Sequence, residues 1–212
     1  MTKSKLARYA AIYVGNPQEI TCATMYEPIK QELYIDYYMT RTNFEARVAT
    51  NFEIEEWARL GWFTIIEGNY IGTEEHLGLI LPWLQKHNIY NVCYRTGDEA
   101  VGVALCDAGN YKQRPISLKR SLNSINAMRH FENLVNALQI KHEGNPLLAY
   151  QISMVEVNTK DDNTTISVSA SGDNVCGAVA ATMAVHGDYV EKEESSVNSK
   201  KGVMYFPKNM FK

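Results

Sequence analysis

The sequence lacks most of the features that commit a chain to a class at first sight. Its four cysteines, Cys22, Cys93, Cys106 and Cys176, are scattered, with no CxxC pair and no Cys/His pair at zinc spacing. That excludes the common structural zinc frameworks. Cys22, Cys93 and Cys176 sit in apolar runs and read as buried, reduced thiols, so a reducing cytosolic setting is expected. No apolar run approaches membrane-spanning length. The basic opening MTKSKLARYAAIYVG carries too short an apolar stretch for a signal peptide. No phosphate-binding loop of the form GxxxxGK[ST] occurs, and no internal repeat is evident. Charge of one sign is also missing. With 21 basic and 24 acidic side chains the formal net charge is −3. Nothing global attracts nucleic acid, although a local basic patch can hide inside that average.

What is present is ordinary for a globular protein. The 212 residues are 45% hydrophobic and 21% charged, enough to bury a real core. Residues 7–15 and 20–26 read as two strands joined by the turn GNPQE, and the tyrosine-rich 31–40 reads as a third, so the chain opens as an antiparallel meander. A short helix is expected at 53–60, ended by Gly61, and a short extended piece with a turn in WFTIIEGNYIG. A further helix follows, capped by Thr73 and running through Lys86, with Glu74 and Glu75 in its first turn and Lys86 and His87 in its last. A strand at 89–94 precedes a helix near 98–109. RPISLK is an extended segment before a long amphipathic helix over 121–139, striped by Leu122, Ile125, Met128, Phe131, Leu134, Val135 and Leu138. Asn145-Pro146 starts a helix through Ser153. MVEVNTKDDNTTISVSA is a hairpin, and SGDNVCGAVAATMAVHG a loop followed by a helix of small residues. Together these predict an α/β fold with a central mixed sheet, an antiparallel edge and flanking helices. A domain over 1–188 is expected, with a charged linker and tail at 189–212, of which the apolar 203–211 is a docking candidate.

The stretch NVCYRTGDEA, 91–100, is where the chemistry is expected. The carboxyl end of a central strand in an α/β sheet is where ligands tend to bind, and here that end is Arg95.

Several strings, in this order, resemble the C-terminal nuclease domain of the large terminase subunit of tailed bacteriophages. They are GWFTIIEGNYI, RPISLKRSLNSIN, IKHEGNPLLAYQISMVEV and NVCGAVAATMAVHG, with HEGNPLL the most specific. The resemblance runs from about residue 7 to 188. It implies a ribonuclease-H-like fold, without the family's ATPase motor, and in active members DNA cleavage by two divalent ions held by carboxylates. Hard ions require oxygen ligands, and a pair of them stabilises the attacking and leaving oxygens. The family draws its acids from the first strand, the end of the fourth strand and the last helix. The matching positions here are Tyr13, Arg95 and Cys176. A guanidinium cannot bind a cation, a protonated phenol is a poor magnesium ligand, and a thiol is mismatched to a hard ion. The resemblance therefore implies a degenerate centre with no cofactor.

Acids do lie close by. Glu19, Asp98 and Asp173 form a candidate displaced set that would hold magnesium or manganese, against the plainer reading that Asp98 and Asp173 cap the helices that follow them. Arg95 would then pair with one of these carboxylates. Lys112, Arg114, Lys119 and Arg120 are the candidate phosphate contacts, against a solvated loop flank. His142, inside KHEGNP, is expected to stabilise a turn, and Tyr34, Tyr37 and Tyr38 to pack. The resemblance implies a phage protein acting by binding, in genome packaging or as a virion component. Its expected partners are the portal, the motor or neighbouring virion subunits, with double-stranded DNA a further candidate; no membrane is expected. It would lie in the host cytoplasm or the virion. A metal-dependent endonuclease with displaced carboxylates is the enzymatic alternative.

Overall fold

A computed structural model describes residues 8–14, 20–49, 53–116, 125–137, 139–160, 163–168 and 175–187. The meander is present as β1 (Arg8–Tyr13), β2 (Thr21–Glu27) and β3 (Glu32–Thr40), paired antiparallel in sequence. β5 (Ile89–Arg95) lies parallel to β1, and β6 (Lys112–Ile116) lies parallel to β5. On the other side, β4 (Thr64–Ile66) and β7 (Lys141–His142) both pair with β3, giving the order β4-β3-β2-β1-β5-β6. β8 (Val155–Lys160) and β9 (Asn163–Val168) form the expected hairpin as a separate two-stranded sheet.

The central strands are covered on both faces, so they read as near-continuous apolar runs rather than alternating ones. β1 is buried from Tyr9 to Tyr13 and β2 throughout. One face, bearing Ala10, Ile12, Val92 and Tyr94, is covered by α3 (Thr73–Gln85) and α4 (Glu99–Gly109) through Ile80, Leu84, Val101 and Leu105. Gly102 lets α4 lie directly on the ring of Tyr94, where any Cβ would overlap it. The opposite face, bearing Ala11, Tyr13, Cys22, Tyr37 and Cys93, meets α7 (176–187), whose Ala178, Ala180, Ala181 and Ala184 permit close approach. α2 (Glu53–Arg59), α5 (Ile125–Asn136) and α6 (Pro146–Ser153) complete that layer with Ile54, Trp57, Phe131, Leu134, Leu147 and Leu148. Each fully buried leucine is worth about 1.5–3 kcal/mol.

Several expectations shift. Thr73 does not cap α3; Gly72 holds the cap position and Thr73 is already helical. α3 stops at Gln85, leaving Lys86 as the C-cap and no basic residue in its last turn. A helix not anticipated from the sequence, α1 (Arg41–Val48), follows β3 at once, because the Thr40 hydroxyl accepts from the Asn43 amide at 3.1 Å and caps it. Of the helix expected over 121–139, α5 is described from Ile125 to Asn136, and residues 121–124 lie outside the described residues. β6 starts at Lys112, two residues before RPISLK, whose last three residues lie outside the described ones. By contrast, α6 starts where Asn145-Pro146 says it should, the Asn145 side chain accepting from the Leu147 and Leu148 amides. The tail from 189 onward lies outside the described residues.

Candidate functional site

β1 and β5 run parallel and finish side by side, so Tyr13 and Arg95 come to the same edge of the sheet. Register then extends the row. Tyr13 pairs with Cys22, Cys22 with Tyr37, and Arg95 with Ile116. Because side chains alternate across a strand, Tyr37, Cys22, Tyr13, Arg95 and Ile116 form one row across five strands, on the face covered by α7.

At the Arg95 end of the row the groups are charged. The guanidinium lies over the Tyr13 ring, its carbon 4.3 Å from the centroid, and Nη1 donates to the Tyr13 hydroxyl at 2.9 Å. Nη2 donates to Asp98 Oδ1 at 2.9 Å, while Asp98 Oδ2 accepts from the Val14 amide at 3.2 Å. The Asp98 side chain is 1% exposed and that of Arg95 22%. The tight turn that brings them together needs Gly97, at φ +114°, a conformation that favours glycine. The capping expectation for Asp98 is corrected here. Asp98 occupies the N-cap position of α4 but makes no side-chain cap hydrogen bond, because both its oxygens are held across the sheet end.

From Val14 the network crosses to the other face. Thr21 Oγ1 donates to the Val14 carbonyl at 3.1 Å and lies 3.2 Å from His76 Nε2 on α3. With the hydroxyl proton committed to Val14, Nε2 is the donor to it. Burial holds the His76 imidazole below its usual pKa.

At the other end of the row the groups are neutral. Gln151 on α6 uses Oε1 to accept from the Tyr37 hydroxyl at 3.0 Å and from the Gly177 amide at 2.8 Å, capping the first turn of α7. Its Nε2 donates to Cys176 Sγ at 3.4 Å. Burial pushes the Cys22 thiol well above its usual value, with Cys176 beside it adding to the effect. Burial does the same to the Tyr37 phenol. Cys22 and Tyr37 stay protonated at neutral pH, so neither offers a nucleophile.

Thus Tyr13 and Arg95 meet directly, and Cys176 stands beside Cys22, the cross-strand partner of Tyr13. Glu19 and Asp173 lie outside the described residues, leaving Asp98 as the described member of the displaced set. Lys119 and Arg120 also lie outside them. Lys112 is exposed at the β6 edge, its Nζ 5.4 Å from the Tyr90 ring centroid, and Arg114 is half-buried opposite Cys93. His142 Nδ1 accepts from the Gly144 amide at 3.1 Å, within its turn. Gln151 and Thr21 were not singled out from the sequence, and no local signal marks them.

Two divalent ions would need a cluster of oxygen ligands. The described row offers a guanidinium, phenols, thiols and one carboxylate whose oxygens are both engaged. Among the described residues no group of three or more His, Cys, Asp or Glu side chains converges. These residues do not fit a metal pair.

The sheet order, the antiparallel opening and the helices on both faces define a ribonuclease-H-like fold of the kind found in terminase nucleases. Three solved phage structures superpose on it. The HK97 bacteriophage large terminase superposes with a TM-score of 0.74 at 14% identity, over 88% of this chain and 40% of that one. The large terminase nuclease from thermophilic phage G20c gives 0.55 at 10% identity, over 84% and 80% of the two chains. The same nuclease with bound magnesium gives 0.56 at 9%, over 87% and 82%. At such identities the likeness is one of fold. The present chain spans less than half the length of the HK97 terminase. No protein-family model matches the sequence, and no curated protein matches it. No helix among the described residues is long and apolar enough to cross a membrane.

Proposed function

We propose that this chain is a terminase-nuclease-like phage protein that binds rather than cuts, in genome packaging or as a component of the virion. The observation that carries the reading is the Arg95 guanidinium, which occupies the strand end and engages the carboxylate beside it. A phosphodiester-cleaving centre needs exposed anionic oxygens for its ions there, and this strand end presents a cation. The fold supplies the phage context, since the chains it superposes on are large terminases. Under this reading the chain works in the host cytoplasm or in the particle. Its partners are the portal, the motor, neighbouring virion subunits or double-stranded DNA, the last contacted through Lys112, Arg114, Lys119 and Arg120.

The test is incubation of the purified protein with plasmid DNA in magnesium or manganese. No cleavage is expected. Cleavage abolished by Asp98→Ala or Asp173→Ala would overturn the reading in favour of an endonuclease with displaced ligands. DNA binding that weakens with salt and is lost when Lys119 and Arg120 are replaced assigns the packaging role. Absence of DNA binding, with incorporation into purified particles, assigns the structural one.

A further inference from the structure

We infer that Arg95 is the resident cation of this strand end, doing permanently what a bound divalent ion would otherwise have to do. It holds the end of β1, the end of β5 and the start of α4 together without metal. The inference concerns what closes the site, so it stands apart from the binding role, and its readouts are stability and ion response rather than cleavage.

Charge and coordination both support it. Asp98 brings one negative charge into a position where its side chain is 1% exposed, and a buried carboxylate requires a counter-charge. Arg95 supplies one positive charge at 2.9 Å. Burial keeps the nearby Cys22 thiol neutral, so it adds no charge to that pair. No net negative charge is left within the pair to attract an ion. Both Asp98 oxygens are engaged as well, one by Arg95 and the other by the Val14 amide just past β1. The Tyr13 hydroxyl accepts from the same guanidinium while its ring stacks beneath it. A magnesium ion demands near-octahedral oxygen geometry, and to reach Asp98 it would have to displace a planar fork held by two hydrogen bonds and an aromatic face. The outcome differs from that in a solved protein of the same fold, the G20c terminase nuclease, which binds magnesium.

The experiment is a thermal unfolding series on the full chain in chelator, in magnesium and in manganese. The variants are Arg95→Ala, Arg95→Lys, Asp98→Asn and the double variant Arg95→Ala/Asp98→Asn. The wild-type melting temperature is expected to be the same in all three solutions. Arg95→Ala strands a buried carboxylate and is expected to lower the melting temperature by about 10 °C. Removing both charges together is expected to recover most of that loss, because no unpaired charge then remains. Should Arg95→Ala fail to fold, Arg95→Lys, which keeps the charge and loses the fork, is expected to melt between the wild type and the unfolded case. The inference is overturned if manganese raises the wild-type melting temperature and Asp98→Asn abolishes that rise. It is also overturned if the losses in Arg95→Ala and Asp98→Asn simply add in the double variant.

Discussion

The two ends of the central sheet are both closed by an arginine and a glutamate or aspartate, yet they are built differently. At the carboxyl end of β1 and β5, Arg95 and Asp98 form a pair within one turn, backed by a buried row and a helix start. At the opposite end, Arg8 meets Glu27 at 2.7 Å with side chains 26% and 8% exposed, and the pair opens into a network. Lys30 reaches both Glu27 and Glu32, at 3.6 and 3.8 Å. The Tyr34 hydroxyl donates to Glu32 at 2.6 Å, and Arg8 Nη1 lies 3.3 Å from His87 Nδ1. This end borders an open cleft of about 210 Å³ lined by Glu32, Leu33, Tyr34, Lys141, His142 and Glu143. The Asp98 carboxylate is 1% exposed and that of Glu27 8%, and Glu27 keeps Lys30 in reach when Arg8 is lost.

That contrast sets the order of expected effects. Arg95→Ala is expected to cost about 3–5 kcal/mol in chemical unfolding, since it leaves the Asp98 carboxylate, 1% exposed, without its counter-charge. Arg8→Ala is expected to cost about 1–2 kcal/mol, because Lys30 remains near Glu27 and water can reach the gap. Equal losses at the two positions would remove the distinction.

The neutral half of the row is the next place to press. An alanine at position 177 would drive its Cβ into the Tyr37 hydroxyl and the Gln151 amide. Overpacking of this kind costs about 1–3 kcal/mol, more than the 0.5–1 kcal/mol of helix propensity that Gly→Ala returns. Gly177→Ala is therefore expected to destabilise. Tyr37→Phe in the same chain is expected to recover part of the loss by removing the hydroxyl, as a double-mutant cycle in urea would read.

The dependence on pH should be smaller and shared by both ends. Burial lowers the pKa of His76, and burial together with the Arg8 charge lowers that of His87. The unfolded chain then takes up protons near its ordinary value, about 6.5, while the folded chain does not. Stability from these groups is complete above that value and is lost as pH falls below it. His76→Gln is expected to flatten that slope in unfolding curves, and a slope unchanged by the substitution would count against the buried imidazole. Least of all is expected from the exposed helix-surface pair Arg59–Glu56. Arg59→Ala should leave the unfolding midpoint within measurement error.

Much of this architecture was legible in local sequence. The meander followed from apolar runs broken by GNPQE, and α6 from Asn145-Pro146, because those signals act within a few residues. α1 was not legible, since Thr40 ends a strand and caps a helix at once. The strand end was visible as Arg95, but its partner's role was not. Asp98 looks like a cap by position, and only the fold brings the Val14 amide, 84 residues away, to its carboxylate. Gln151 carries no mark at all, because its partners come from β3 and α7.

Gln151 also bears on the order of events during folding. Its one oxygen joins a strand near residue 37 to a helix that starts at 176, so the contact spans most of the described chain. Contacts of such sequence separation form late, after loop closure has been offset by other packing. As the chain emerges during synthesis, the α3–α4 side of the sheet can assemble once α4 is out. The side that carries the row must wait for α7. Tyr13, Cys22 and Tyr37 therefore wait for α7, after the α3–α4 face can already close.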